Sequence, residues 1–339
     1  EGTVGRTQLA AEARTTMEYA TLGRTGATVS RIGFGGATLG LTNYVERFDP
    51  YDARDRARMF DGIEAALEGG INFYDTAPGY GDGASERVLG EALAGVTESG
   101  GHPLFLATKV GFGSRGQVRE SLEASLTRLR RDSIDLLQIH GGSYTAQQTD
   151  QILLGAGDRD GGEGDRDGGG GDPDSGGRDR GDASRDAVME SMLAEMQALR
   201  AEGLVRHIGF TTEDTNDSVY RLIRSGGFDS MQICYNLLYQ HPYEPSRPFG
   251  SMLEAERQGM GILTMRTTTS GTFQRWVQQV NPGNTFDYAG ALIQYVLSNP
   301  LVDVALVGMR DAEIVRANLA LVDDVAGRLS LEALHERYV

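Results

Sequence analysis

Short apolar runs alternate along the chain with amphipathic stretches of helical length. The runs are SRIGFGG (30–36), INFYDT (71–76), LFLATKV (104–110), IDLLQIH (134–140), VRHIGF (205–210), SMQICYN (230–236), GILTMR (261–266) and VDVALVG (302–308). They have the length and β-branched content of buried strands. Between them lie helical patterns such as DRARMFDGIEAALEG, SERVLGEALAG, QVRESLEASLTRLRR, VMESMLAEMQALRAEG, TFDYAGALIQYVLSN and DAEIVRANLALVDD. In the third of these, Leu122, Leu126 and Leu129 fall on one helical face. Eight strand–helix units in tandem predict an α/β fold with a parallel sheet and outer helices, and eight is the number that closes a (β/α)8 barrel. A doubly wound sheet is the alternative, but GFGGATLG after the first strand is not followed promptly by a helix, as a dinucleotide fingerprint requires. Ahead of the first strand, MEYATLGRTGATVS (17–30) predicts a hairpin turning at GRTG and placed to plug the barrel's bottom.

One segment breaks this rhythm. Residues 155–186 are Gly/Asp/Arg low complexity with no apolar side chain larger than alanine, so burial cannot offset ordering entropy there. A disordered acidic insert after strand four is expected. Its D-x-D-G spacings lack the terminal Glu and flanking helices of a calcium loop. The domain plan is then a flexible extension over 1–16, a single barrel domain over 17–324 interrupted by the insert, and a short tail over 325–339.

Charge and composition narrow the function classes. A net charge of −16 over 339 residues argues against a nucleic-acid backbone or an anionic membrane as partner. No run approaches the length of a membrane span, and the opening residues carry no apolar signal-type core, so a cytoplasmic location is expected. Cys234 is the sole cysteine, which excludes an internal disulfide and a cysteine metal cluster; it reads as a buried small apolar residue. His102, His207, His241 and His335 have no ligand spacing, so no metal site is expected. The acidic, lysine-poor surface is expected to be tuned to salt, against the alternative of a genome that codes Arg in place of Lys.

Lys109 is the only lysine among 32 cationic residues. It lies at the end of strand three, in LFLATKVGFG, and barrel chemistry sits at strand C-termini. Asp75 ends strand two, Tyr80 follows in the next loop, and His140 ends strand four. Three adjacent strand ends can therefore converge on one mouth. A phenol is a poor acid at neutral pH, and a buried ammonium beside it brings its pKa down. Lysine suits this as a compact point charge able to share a proton, whereas a guanidinium is always charged and differently shaped. Asp75 would neutralise the ammonium, and His140 would orient a carbonyl oxygen or relay a proton. Such a group donates a proton to a carbonyl that is receiving a hydride. Singly each residue has an ordinary structural reading, Asp75 as a cap, Tyr80 as a lid residue and His140 as a satisfied donor; together with the sole lysine they point to catalysis.

NFYDTAPGYGDGASERVLGEAL (72–93), LFLATKVG (104–111), DLLQIHG (135–141) and EGLVRHIGFT (202–211) resemble the aldo-keto reductases in order and spacing. YATLGRTGATVSRIGFGGATLG and LVGMRDAEIVRANL extend the resemblance from about Met17 to Asp324, the insert excepted. It implies a (β/α)8 barrel binding NADP(H), with NAD(H) second, and hydride transfer between nicotinamide and an aldehyde, ketone or alcohol. Asp75, Tyr80, Lys109 and His140 would be the tetrad, with Tyr80 as general acid. It also implies cofactor contacts at Thr211, Thr212, Gln232, Met265, Arg266, Gly308, Arg310 and Asn318. The chain departs from the family pattern in Gly209-Phe210-Thr211-Thr212, where Gly-Val-Ser-Asn is common, and at Met265, where a tyrosine often stacks. Ile314 stands at an arginine clamp position, with Arg310 placed to compensate. YNLLYQHPYEP is expected to be a substrate-side loop and Trp276 either a pocket-lining or a rim residue. A cofactor-sensing regulatory barrel and a barrel lyase or isomerase are the rivals. The intact tetrad argues against the first, and the second would need no nicotinamide.

Overall fold

The computed structural model describes residues 17–44, 47–154, 191–243, 250–331 and 333. The expected insert, the N-terminal extension and residues 332 and 334–339 of the tail, with His335, fall outside these residues. Eight parallel strands close into a ring, which disposes of the doubly wound alternative. In chain order they are β1 (Ile32–Gly35), β2 (Phe73–Asp75), β3 (Phe105–Val110), β4 (Ile134–Ile139), β5 (Val205–Thr212), β6 (Ser230–Cys234), β7 (Gly261–Met265) and β8 (Val304–Gly308), with β8 returning to pair with β1.

A single helical turn, Ala37–Gly40, follows β1 directly, where the sequence predicts no prompt helix, and the longer helices pack outside. They are α1 (Ala53–Glu68), α2 (Ala84–Ala92), α3 (Arg115–Leu129), α4 (Ala146–Leu153), α5 (Met192–Ala201), α6 (Asp217–Arg224), α7 (Ser251–Arg257), α8 (Thr272–Val280), α9 (Ala289–Leu297) and α10 (Ala312–Asp323). Local chemistry sets their starts. Ser114 with Gln117 and Thr145 with Gln148 form reciprocal capping boxes at α3 and α4, and Asp52, Asn216 and Asp311 cap α1, α6 and α10. Leu122, Leu126 and Leu129 are all buried on the inner face of α3, as their spacing predicts. Helix α9 begins only at Ala289, four residues into the expected pattern, because Phe286 and Tyr288 close a local aromatic turn against Phe273. Helices α4, α6, α7 and α8 and a small Glu98–Ser99/His102–Pro103 ladder add to the expected elements.

The N-terminal hairpin pairs Tyr19–Thr21 with Thr28–Ser30 antiparallel. Its Leu22 and Val29 are fully buried and pack in one cluster with Phe73, Phe105, Leu136, Leu263, Val304 and Leu306. These are inward-facing strand residues, so the hairpin closes the bottom and leaves the strand C-termini as the open end.

Candidate active site

Strand parity decides what reaches the open end. Side chains two apart on a strand share a face. Phe73, Phe105 and Leu136 fill the barrel interior, so Asp75, then Ala107 and Lys109, then Gln138 and His140 follow them inward toward the mouth. The register seats Asp75 beside Ala107 and Lys109 beside Gln138, which brings three strand ends to one depth.

Tyr80 arrives from the loop after β2 by a backbone lock. A Cβ on Gly81 would stand 2.0 Å from the Gly40 carbonyl oxygen, and one on Gly40 would stand 2.1 Å from that of Tyr80. Gly81 also sits at φ +67°, a conformation glycine adopts without strain. Ser85 fastens the loop further, donating to the Gly36 carbonyl at 2.8 Å and meeting the Thr76 hydroxyl at 2.8 Å.

Lys109 is fully buried. Its Nζ donates to both Asp75 oxygens, at 2.6 and 2.8 Å, to the Thr76 carbonyl at 2.8 Å and to Tyr80 Oη at 3.3 Å. All three ammonium protons are thus engaged, with the phenol as the longest contact. Burial pushes the Asp75 carboxyl up, partly offset by Lys109, Gln138 and Gln232. Burial pulls the Lys109 ammonium down, but Asp75 and Tyr80 together carry it above the ordinary lysine value, so it stays charged. The Tyr80 phenol lies above its ordinary value, which corrects the sequence expectation. Burial raises it more than Lys109 lowers it. Lys109 therefore limits a rise and does not produce a net depression.

His140 stands just beyond β4, with its ring edge-on to Tyr80 at a centroid distance of 5.8 Å. Partial enclosure of the ring and the Lys109 charge both push its pKa down. The imidazole is neutral at pH 7 and brings no second cation to the site.

These groups open into a cavity of about 440 Å³ whose walls include Asp75, Tyr80, His140, Gln232, Met265 and Arg266, and whose far side is Gly308, Arg310 and Ile314. Five of the eight expected cofactor contacts therefore line it. Thr211 and Thr212 do not. Thr211 Oγ1 donates to the Gly141 carbonyl at 2.7 Å and accepts from the Gly141 N–H at 3.0 Å. Thr212 Oγ1 meets the Gly142 and Asp214 carbonyls at 3.3 and 3.1 Å. Both hydroxyls tie the end of β5 to the loop after β4. Asn318 lies one turn along α10 from Ile314, buried, and its Nδ2 has no partner among the described residues. Trp276 is 53% exposed on α8 and does not line the cavity. Tyr235 of the expected substrate-side loop is buried, and 244–249 lie outside the described residues. Cys234 is buried, its thiol pushed up to about 12, consistent with a packing role.

The chain's comparisons with known proteins agree with this geometry. A family model described as "Aldo/keto reductase family" matches residues 31–291. The chain belongs to the aldo/keto reductase family. It is 36% identical over 134 residues to aldo-keto reductase YhdN of Bacillus subtilis, covering 37% of this chain and 38% of that protein. It is 39% identical over 101 residues to methylglyoxal reductase YeaE of Escherichia coli, covering 29% of this chain and 34% of that protein. The matched stretches thus span less than two fifths of these relatives. Among solved structures, an aldo-keto reductase from Bacillus halodurans superposes with TM-score 0.64 at 20% identity over 94% of each chain. One from Klebsiella pneumoniae, in complex with NADPH, superposes with TM-score 0.63 at 19% identity over 95% of this chain and 94% of that one. Those two likenesses show the shared fold.

Several cavity or site residues were not anticipated from sequence. Gln138 donates to Asp75 Oδ1 at 3.2 Å and to Gln232 Oε1 at 2.9 Å, so it joins the ion pair to β6. Its position two before His140 places it on the same face, and that parity was the available signal. Glu213 pairs with Arg266 at 2.6 Å, and Tyr44 meets Ser270 at 3.0 Å; no spacing announces either. The turn after β7 holds Arg266, Thr269 and Ser270 at positive φ, three non-glycine residues in the left-handed region, of which Arg266 and Ser270 line the cavity. Within the described residues no group of three or more potential metal ligands occurs, and no helix is long and apolar enough to cross a membrane.

Proposed function

We propose that this protein is an NADP(H)-dependent oxidoreductase that interconverts aldehydes or ketones with alcohols, with NAD(H) as the second cofactor choice. The observation that carries this reading is the Lys109 ammonium, buried, ion-paired to Asp75 and in contact with the Tyr80 phenol at the floor of an open cavity. A nicotinamide dinucleotide, when bound, supplies or accepts the hydride. The cavity fits such a group. It extends from the tetrad to the β8–α10 corner, where buried Arg310 lies 4.4 Å from the Phe48 ring centroid and Asn318 holds an unpartnered amide donor. Gln232 and Met265 would face the nicotinamide end, with Gly308, Arg310 and Asn318 at the adenosine end. The Klebsiella relative's NADPH favours the phosphorylated cofactor.

In the reduction direction, the carbonyl oxygen sits between Tyr80 Oη and His140. Neutral His140 donates a hydrogen bond that orients it. Tyr80 gives its proton to the oxygen as negative charge develops there, and the Lys109 ammonium stabilises the phenolate left behind. Asp75 keeps that ammonium in place, and Gln138 holds Asp75. In the reverse direction the phenolate takes the alcohol proton. The methylglyoxal reductase relative points to small aldehydes as the first compounds to test. Steady-state turnover of a carbonyl and alcohol panel with both cofactors tests the reading. Saturable, cofactor-dependent change in nicotinamide absorbance supports it; nicotinamide binding without turnover of any member would instead favour a cofactor-sensing barrel.

A further inference from the structure

A second cavity, of about 420 Å³, lies away from the barrel mouth between α1, α2 and α3. Its walls include Arg56, Arg87, Arg128 and Arg130, with Glu91 as the only carboxylate. In a chain where acids outnumber bases by 48 to 32, four arginines around one recess reverse the prevailing sign. Two are neutralised locally. Arg56 pairs with Glu91 at 2.7 Å, and Arg128 pairs with the fully buried Glu86 at 2.6 Å. Arg87 has no carboxylate partner among the described residues and uses one donor on the Asp82 carbonyl at 2.7 Å. Arg130 approaches Glu91 only at 3.8 Å, beyond hydrogen-bond distance. Four guanidinium groups thus share two carboxylates, Glu86 and Glu91, and the recess keeps an excess of positive charge.

The scaffold around it is specific. Gly83, at φ +77°, leaves the space Arg128 needs, since a Cβ there would stand 2.6 Å from Arg128 Cδ. Arg130 occupies the left-handed C-cap of α3 at φ +55°, where glycine is the usual residue. Pro50, Val88 and the exposed Tyr51 supply an apolar side to the same recess.

We infer that this recess is an anion site for a small phosphorylated metabolite, a phosphate monoester or diphosphate, gripped by Arg87 and Arg130. Guanidinium forks match phosphate oxygens in paired hydrogen bonds, and the low-dielectric walls of a cleft focus the field on such a ligand. The apolar side with Tyr51 accommodates the carbon part of the molecule. This site is separate from the carbonyl-reducing mouth and does not depend on that activity.

Calorimetric titration of the full chain with inorganic pyrophosphate, at ionic strength held constant with KCl, tests the inference. Wild type should bind saturably. Arg87→Ala combined with Arg130→Ala should weaken binding at least tenfold, whereas Arg87→Lys with Arg130→Lys should fall between, keeping the charge but losing the forks. The lysine pair also guards against misfolding of the alanine pair, with a thermal melt as the check. Absence of saturable binding in wild type overturns the inference. So does equal affinity in wild type and both double variants, which would place the pyrophosphate elsewhere, for instance in the barrel mouth.

Discussion

The two halves of the barrel mouth are built on different terms. On the β2–β4 side, an ammonium, a carboxylate, a phenol and an imidazole meet within hydrogen-bond or ring-contact distance, and each is reached by strand parity or by a locked loop. On the β5–β8 side the cavity wall is a mixture of glycine, thioether, amide and guanidinium groups, and two threonines that resemble ligand contacts are consumed by backbone carbonyls. Proton transfer needs a particular group at a particular atom. Holding a large cofactor needs a surface, which many residues and the backbone itself can provide. The first half is therefore expected to tolerate almost no substitution, and the second to tolerate many.

Breaking the first half should have the largest effect. Tyr80→Phe removes the proton donor but keeps the ring, so carbonyl reduction should fall by about 10²–10⁴-fold, the usual contribution of a positioned acid. Nicotinamide fluorescence titration should show cofactor still binding; near-wild-type turnover would remove Tyr80 from its role. Asp75→Asn leaves the buried Lys109 charge without its carboxylate. A loss of about 3–5 kcal/mol in stability is expected from breaking such a pair, read by chemical denaturation, along with lost turnover.

The second half should respond differently. Thr211→Val strands both the N–H and the carbonyl of Gly141, so a stability loss of about 1–3 kcal/mol is expected with cofactor affinity changed far less. The reverse pattern, weakened affinity at unchanged stability, would show that Thr211 reaches the cofactor directly. The smallest effect concerns the surface common to both halves. A net charge of −16 repels itself when the Debye length is about 30 Å at 0.01 M salt and hardly at all when it is about 3 Å at 1 M. The melting temperature should rise across that range of KCl, and a flat response would favour codon usage as the origin of the composition.

The same contrast explains what was legible in the sequence. The barrel followed from the eight periodic runs, and the hairpin plug from GRTG between alternating apolar positions. Lys109 stood out because it is unique, and its partners followed from the strand ends. Gln138 was hidden because glutamine in a strand carries no chemistry of its own; only its face, shared with Lys109 and His140, marks it. The backbone bonds of Thr211 and Thr212 were hidden because a hydroxyl reads the same whether it faces a ligand or a backbone carbonyl. Glu213 and Tyr44 reach the cavity through loop conformation, which residue spacing does not encode. The net direction of the Tyr80 shift depends on how deeply the phenol is enclosed, and enclosure is a property of the closed barrel.

The central claim is that Lys109 acts through the Tyr80 phenol. The most direct test is the pH–rate profile of carbonyl reduction for wild type and Lys109→Arg. Reduction needs the phenol protonated, so the rate is full below the Tyr80 pKa and falls as pH rises through it. Lys109 lowers that pKa against the effect of burial. A guanidinium cannot occupy the Nζ position among Asp75, Thr76 and Tyr80, so its lowering effect on the phenol is weaker. The variant should lose about 10²–10⁴-fold in kcat, with its basic limb displaced to higher pH. A variant that reduces carbonyls at half the wild-type rate with an unshifted limb would contradict the account and leave Lys109 a structural ion-pair partner of Asp75.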